Sequence, residues 1–284
     1  MEERLQNILA HAGVASRRAA ATMIESGVVT VDGIVVREPG ARFEPEKVAV
    51  RVNGRPLVSA SAKRTIVLYK PVGVLSTMSD PFGGRTVADI VYGGKGNSQS
   101  KGDATFKGYA TLKGDATFLS REKKAEITSF NTRQECRVPS ERLVPVGRLD
   151  KDSEGLLLMS NDGDLVNRLT HPRFEHQKTY LVRVAGRWTE EKLATLRSPL
   201  TLDDGYTIRP VPVEVVRENF DHTRLLKFVL KEGRKRQIRK MCSAAHLVVL
   251  SLKRVKVGAF ALPSELKPGE WRDLTPDEIK ALFA

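Results

Sequence analysis

Cysteine is nearly absent: two in 284 residues, Cys136 and Cys242, with no C-x-x-C pair and no spacing that suits a metal. Neither a disulfide framework nor a zinc site is indicated, and a reducing, cytoplasmic setting is expected. The five histidines, His11, His171, His176, His222 and His246, show neither metal-ligand nor triad spacing, so no metal site is assigned. Long apolar runs are missing as well. No stretch approaches the roughly 18 residues of a membrane span, and the opening MEERLQNILA lacks the basic-then-apolar pattern of a signal peptide. A membrane role is not expected.

What the chain has in excess is positive charge. Lys and Arg number 47 against 34 Asp and Glu, for a formal net charge of +13, and the basic residues are spread through segments that look folded. A polyanionic partner fits this balance; a merely basic, soluble protein fits it equally on charge alone.

The apolar residues organise the chain into two parts. Leu5, Ile8, Leu9 and Ala12 occupy one helical face over residues 3–13, closed by Gly13. A second helix starts at the cap Ser16, buries Ala20, Met23 and Ile24, and stops at Gly27. The stretch VVTVDGIVV reads as a hairpin turning at Asp32-Gly33. These elements form a module over residues 1–58. Arg17 and Arg18 sit in the first turn of the second helix, where the helix dipole disfavours cations; either phosphate contact or plain solvation accounts for them. SASAKR, 59–64, reads as a linker, and the apolar strand TIVLYK opens a second domain over 65–284.

Residues 93–140 interrupt that domain. They include GGKGNSQS and three copies of Lys-Gly-x-Ala-Thr-(Phe/Leu) at 101–118, too few to stack as a solenoid and too polar to pack, so the segment reads as an insertion. A neutral insertion is expected, although Lys101, Lys107 and Lys113 offer RNA contacts. Beyond it, GLLLMS, KTYLVRVAG and RLLKFVLKEG read as strands. DLVNRLTH, capped by Asp164 or Asp162, and TEEKLATLRS, capped by Thr189, read as helices, and RKRQIRKMCSAAHL as a strongly basic one. Strands predominate without strict βαβ order, which predicts an α+β domain on a mixed, mainly antiparallel sheet.

The basic chain carries one acidic stretch, VGRLDKDSEGLLLMSNDGDL, with Asp150, Asp152, Glu154, Asp162 and Asp164. It is not a calcium loop: position five is Glu154, position twelve is Asn161, and an apolar strand follows Gly155. Turn and cap chemistry account for Asp162 and Asp164. Asp152 and Glu154 read as exposed turn residues balancing Arg148 and Lys151. Asp150, between Gly147-Arg148-Leu149 and a buried strand, is a half-buried carboxylate that needs a cation. Locally, a plain ion pair holding two elements together explains it better than catalysis does.

Taken together, KPVGVLST (70–77), the long VGRLDKDSEGLLLMSNDGDLVNRLTHP run (146–172), KTYLV (178–182), EGRKRQIRKM (232–241) and LKRVKVG (252–258) resemble, in order, the motifs of bacterial ribosomal-RNA pseudouridine synthases of the RsuA/RluB family. The first module, with SRRAA, is similar to the RNA-binding module of small-subunit ribosomal protein S4. The resemblance covers residues 2–92 and 140–275. It implies that Asp150 is the catalytic carboxylate, that Tyr180 packs on and positions the target base, that Arg239 pairs with Asp150, and that Leu252 lines the pocket. Arg148, Arg234, Lys235 and Arg236 are expected at phosphates, with Arg17 and Arg18 also on RNA. Lys70 is assigned to the substrate-binding set, with Pro71 beside it shaping a loop at the site. The implied reaction breaks the bond from ribose C1′ to uracil N1, turns the base and joins C1′ to C5. It has no redox step, so no cofactor is expected. The carboxylate either stabilises or traps an oxocarbenium-like ribose or acts as a base toward it.

The expectation is an RNA-modifying isomerase of ribosomal RNA, acting as a monomer on RNA or a pre-ribosomal particle. The match of RLQNILAHAGVASRRAA to the large-subunit branch points to 23S RNA, with 16S RNA as the alternative. The rivals are a non-catalytic ribosome-assembly factor, disfavoured by the Asp150, Tyr180 and Arg239 set, and a DNA-binding helical module, disfavoured by its short second helix.

Overall fold

The computed structural model describes residues 2–57, 62–93, 142–201, 205–218 and 222–284. The 101–118 repeat, almost all of the expected 93–140 insertion with its lysines and Cys136, and residues 59–61 of the expected linker lie outside the described residues.

The first module follows its sequence pattern closely. Helix Leu5–His11 buries Leu5, Ile8 and Leu9, and helix Arg17–Glu25 buries Ala20 and Ile24 against them. The Ser16 hydroxyl accepts from the Ala19 amide at 3.2 Å, satisfying one of the helix's orphan donors. The expected start at residue 3 is corrected by two residues: Glu3–Arg4 is extended and pairs with Arg42–Phe43. Strands Val29–Val31 and Ile34–Val35 meet at Asp32-Gly33, both with positive φ. A second hairpin, Val50–Val52 with Arg55–Pro56, turns at Asn53-Gly54 in the same way. Asn-Gly is as strong a turn signal as Asp-Gly, so this hairpin was legible although not among the expectations. The four strands form one sheet that shares a core with the two helices.

The larger part is built on a nine-stranded sheet. Its main path runs Val213–Glu218, Arg224–Leu230, Lys178–Ala185, Val248–Val257, Glu154–Ser160, Thr65–Lys70 and Trp271–Asp273. One junction is parallel, where Lys253 and Arg254 lie beside Glu154 and Gly155; the other pairings are antiparallel. The sheet is therefore mixed and mainly antiparallel, as the strand-rich pattern predicts.

Thr65–Lys70 and residues 155–160 are buried throughout, which explains their continuous apolar runs: both faces of the central strands are covered. Ile66, Leu68, Leu157 and Met159 enter one core with Tyr180, Val182 and helix residues Ile238 and Met241. Val67, Leu156 and Leu158 enter the other with Leu165, Leu169 and Leu282. Each such aliphatic side chain stabilises the fold by roughly 1.5–3 kcal/mol through burial.

Gly155 sits at the parallel junction with φ +105°, and a Cβ there would stand 2.3 Å from the Arg254 carbonyl oxygen. Only glycine lets the two strands approach this closely.

The helix ends follow cap chemistry. Asp162, of the two candidates, caps Gly163–Thr170, accepting from the Asp164 and Leu165 amides, and Thr189 caps Glu190–Arg197. The basic helix is shorter than its sequence suggests. It spans Gln237–Ala244, while Arg234 and Lys235 lie in the loop before it and Arg236 takes the cap position with φ +54°. Helix Val87–Gly93 and the closing helix Pro276–Ala281 were not foreseen; the latter carries a full capping box between Thr275 and Glu278.

Candidate active site

Strand Val144–Val146 leads into Gly147, whose φ of +74° turns the chain into the loop that holds Asp150 before strand Glu154–Ser160 begins. The loop is pinned along its length. Leu149 is buried, its carbonyl accepts from the Ser76 hydroxyl at 2.8 Å, and its amide donates back to the same oxygen at 3.1 Å. The Gly73 amide donates to the Lys151 carbonyl at 2.7 Å, and the Ser153 amide to the Asp150 carbonyl at 3.1 Å. The KPVGVLST segment thus clamps the Gly-Arg-Leu-Asp loop.

Lys70 anchors this clamp from beneath. Its side chain is wholly buried, and its ammonium donates to the carbonyls of Pro71 at 3.0 Å and Ser153 at 2.7 Å. Burial lowers its pKa to about 8, against the opposing pull of Asp150 and Asp152. The assignment of Lys70 to the substrate-binding set is therefore corrected: a side chain without exposed surface cannot touch RNA, and it braces the site from inside.

Above the clamp lies a cleft of about 790 Å³, walled by the 75–80 segment, the 148–153 loop and residues 233–239. Asp150 lines it, with its side chain one-third exposed, and Tyr180 and Leu252 supply an apolar wall. These two come from neighbouring strands, with Tyr180 opposite Arg254 and Leu252 opposite Val182. Both are nearly buried, so the faces they offer are narrow and fixed by packing.

The arginines are arranged differently from expectation. The cation near Asp150 is Arg236, with Nη1 at 4.0 Å from Oδ2. Arg239 instead contacts Asp152, its Nη2 donating to the carbonyl at 2.9 Å and standing 3.3 Å from the carboxylate. Arg236 also grips the Asp152 carboxylate with both terminal nitrogens, at 3.2 and 3.0 Å. The expected Arg239–Asp150 pair is thus replaced by a pair with the carboxylate two residues on. Asp152 is no solvated turn residue. Desolvation works to raise its pKa, but the Arg236 hydrogen bonds and the two guanidinium charges outweigh this and hold it below the usual carboxylate value. Only the folded loop reveals this role.

Arg148 and Lys235 are exposed on the cleft, and Arg234 lines it with its guanidinium 3.7 Å from the centre of the Tyr206 ring. Arg17 and Arg18 are exposed in the first module and do not line the cleft. Ser76, Ser79 and Asp80 were not singled out; Ser76 lay within the quoted KPVGVLST motif. Among the described residues, the buried Arg239 Nε and Ser153 Oγ have no hydrogen-bond partner, no cluster of His, Cys, Asp and Glu suits a metal, and no helix is long and apolar enough to cross a membrane.

A fixed carboxylate, two guanidinium groups, an apolar wall and a basic rim suit a polyanion whose reacting group develops positive charge beside the carboxylate. Residues 64–244 match the RNA pseudouridylate synthase family, and residues 3–48 match the S4 domain. An RNA pseudouridine synthase of Aquifex aeolicus is 34% identical over 284 residues, covering 100% of this chain and 94% of its own length. The ribosomal large subunit pseudouridine synthase B of Bacillus subtilis is 34% identical over 282 residues, covering 99% and 96%. A crystal structure of a pseudouridylate synthase shares the fold with a TM-score of 0.59 at 22% identity, over 98% of this chain and 99% of that one. The chain belongs to the RNA pseudouridine synthase family, whose reaction isomerises uridine to pseudouridine in RNA, and it carries an S4 domain at its N-terminal end.

Proposed function

We propose that this enzyme isomerises a uridine of large-subunit (23S) ribosomal RNA with Asp150 as its catalytic carboxylate. The observation that carries the reading is Asp150 itself: a partly exposed carboxylate on a loop clamped by Ser76, Gly73 and Lys70, facing a basic cleft with Arg236 4.0 Å away. The 23S target rests on relatives named ribosomal large subunit pseudouridine synthase B, including that of Bacillus subtilis. Its alternatives, 16S RNA and a non-catalytic assembly factor, have no such support.

The target uridine leaves its stack and enters the cleft, where Tyr180 and Leu252 hold the base. The glycosidic bond from C1′ to N1 breaks, and the Asp150 carboxylate meets the electron-deficient ribose. The uracil turns, C5 bonds to C1′, and the C5 proton leaves as N1 is protonated, so atoms and charge balance without a cofactor. Arg236 and Arg239 orient the carboxylates; Arg148 and Arg234 receive phosphates at the rim. The S4 module, residues 1–58 with Arg17 and Arg18, grips a neighbouring part of the RNA, and the domain over 65–284 does the chemistry. The setting that fits is a cytoplasmic monomer acting on RNA or a pre-ribosomal particle.

The test is release of tritium from uracil C5 in 23S and 16S transcripts, with Asp150→Asn alongside. Release from 23S that disappears in Asp150→Asn, while RNA binding persists, is expected. Release that survives the substitution removes Asp150 from the chemistry, and release from 16S alone overturns the target.

A further inference from the structure

We propose that Phe82 is a stacking platform for a nucleobase flanking the target uridine, held on a rigid finger beside the cleft. The proposal rests on the RNA substrate established above. Phe82 is 94% exposed, the most exposed of the large apolar side chains among the described residues. Single exposed apolar residues are common on protein surfaces, so its surroundings carry the argument.

The ring sits at the tip of a β-turn. The Gly83 amide donates to the Asp80 carbonyl at 3.3 Å, and the Asp80 carboxylate accepts from the Gly84 amide at 2.8 Å. Pro81 fixes the second position of this turn, and Phe82 occupies the third, which favours small polar residues over a phenyl ring. Nothing in the turn's own bonding uses the ring.

The base of the finger is closed by Leu75, whose amide donates to the Arg85 carbonyl at 2.9 Å and whose carbonyl accepts from the Val87 amide at 3.0 Å. One flank of the finger, from Leu75 to Asp80, lines the active-site cleft, and Ser76 on that flank is bonded to Leu149, next to Asp150. The tip is thus mechanically tied to the catalytic loop, while Phe82 stays outside the cleft lining. That position suits a neighbour of the target base rather than the target. Arg85 is exposed on the finger and Arg148 on the loop that Ser76 ties to it, giving the pairing of cations for phosphates with an aromatic face for a base that single-stranded nucleic acid requires. A rigid platform also loses little conformational freedom on binding.

The full-length protein is compared with Phe82→Ala, Phe82→Leu and Phe82→Trp in tritium release from the 23S transcript. Ala and Leu are expected to raise KM about tenfold with kcat little changed, Trp to keep the wild-type KM, and all to keep the wild-type melting temperature. The emission added by Phe82→Trp over the two native tryptophans is expected to be quenched by the transcript and by single-stranded oligouridylate. A wild-type KM in Phe82→Ala, equality of Leu with Phe, or unchanged Trp emission on oligouridylate overturns the proposal. A wrong choice of ribosomal RNA shows instead as wild-type inactivity on 23S, and the oligouridylate measurement stands apart from it.

Discussion

Replacing Asp152 with asparagine keeps the shape of the side chain and removes the charge on which two arginines converge. The Arg236 pair is formed by side chains that are each 44% exposed, so solvent screening limits it to about 0.5 kcal/mol. Arg239 is only 15% exposed, and its charge-assisted contact is worth about 1.5 kcal/mol. Its bond to the Asp152 carbonyl survives the change. The loss is therefore about 2 kcal/mol at pH 7, which for a domain of this size lowers Tm by roughly 5 °C. The pKa of Asp152 lies below its ordinary value of 3.8 in the folded state, so its contribution is fully present above that value and is lost as pH falls through the lower folded one. The gap between wild type and Asp152→Asn is expected to be constant from pH 7 to about pH 4 and to close below it. Released from the Asp152 carboxylate, the Arg236 guanidinium reorients around Asp150 while Arg239 keeps its bond to the backbone carbonyl, and tritium release is expected to fall by about tenfold to a hundredfold. Melting curves by circular dichroism across pH, together with the release assay, check both statements. A variant with wild-type Tm at pH 7, or a gap that persists unchanged in acid, refutes the role assigned to Asp152.

The buried Lys70, with its pKa lowered from 10.5 to about 8, binds fewer protons in the folded than in the unfolded chain between those values. The stability of wild type relative to Lys70→Met should accordingly rise with pH from about 8 to 10.5, as read by urea unfolding; a flat difference refutes the burial argument. Gly155→Ala places a Cβ against the Arg254 carbonyl at positive φ and is expected to cost at least about 3 kcal/mol, or to prevent folding, in the same assay. Burial pushes the Cys242 thiol up to about 12, so in a Cys136→Ser background native protein should not react with a thiol reagent at pH 8 until it is unfolded.

Much of this molecule was legible in one dimension because the forces concerned are local or periodic. Alternation and continuous apolar runs marked the strands, helical spacing marked Leu5, Ile8 and Leu9, and Ser16 and Thr189 announced their helix starts, while Asp162 and Asp164 stood as alternatives for a third. The Asp32-Gly33 turn and the Gly-Arg-Leu-Asp run that carries the family resemblance also came from residues adjacent in the chain. Where the reading of Arg234 to Arg236 as helix failed, the local pattern was overridden: Arg236 takes a left-handed backbone at the cap, and the helix starts one residue later.

Long-range pairing was decided elsewhere. Arg239 and Asp152 are 87 residues apart, and choosing Asp152 over Asp150 depends on a shift of a few ångströms between a loop and a helix end, which no spacing rule encodes. Lys70 reads from sequence as a substrate-binding residue beside a loop-shaping proline, and packing beneath two clamped loops turned it into an interior strut bonded to Ser153, 83 positions away. Sequence thus determined which elements form and which carboxylate the family resemblance singles out, because hydrophobic period, capping and motif residues act over a few positions. The tertiary structure decided which cation meets which carboxylate, because Coulomb and hydrogen-bond energies depend on separations that exist only after the sheet has closed around the site.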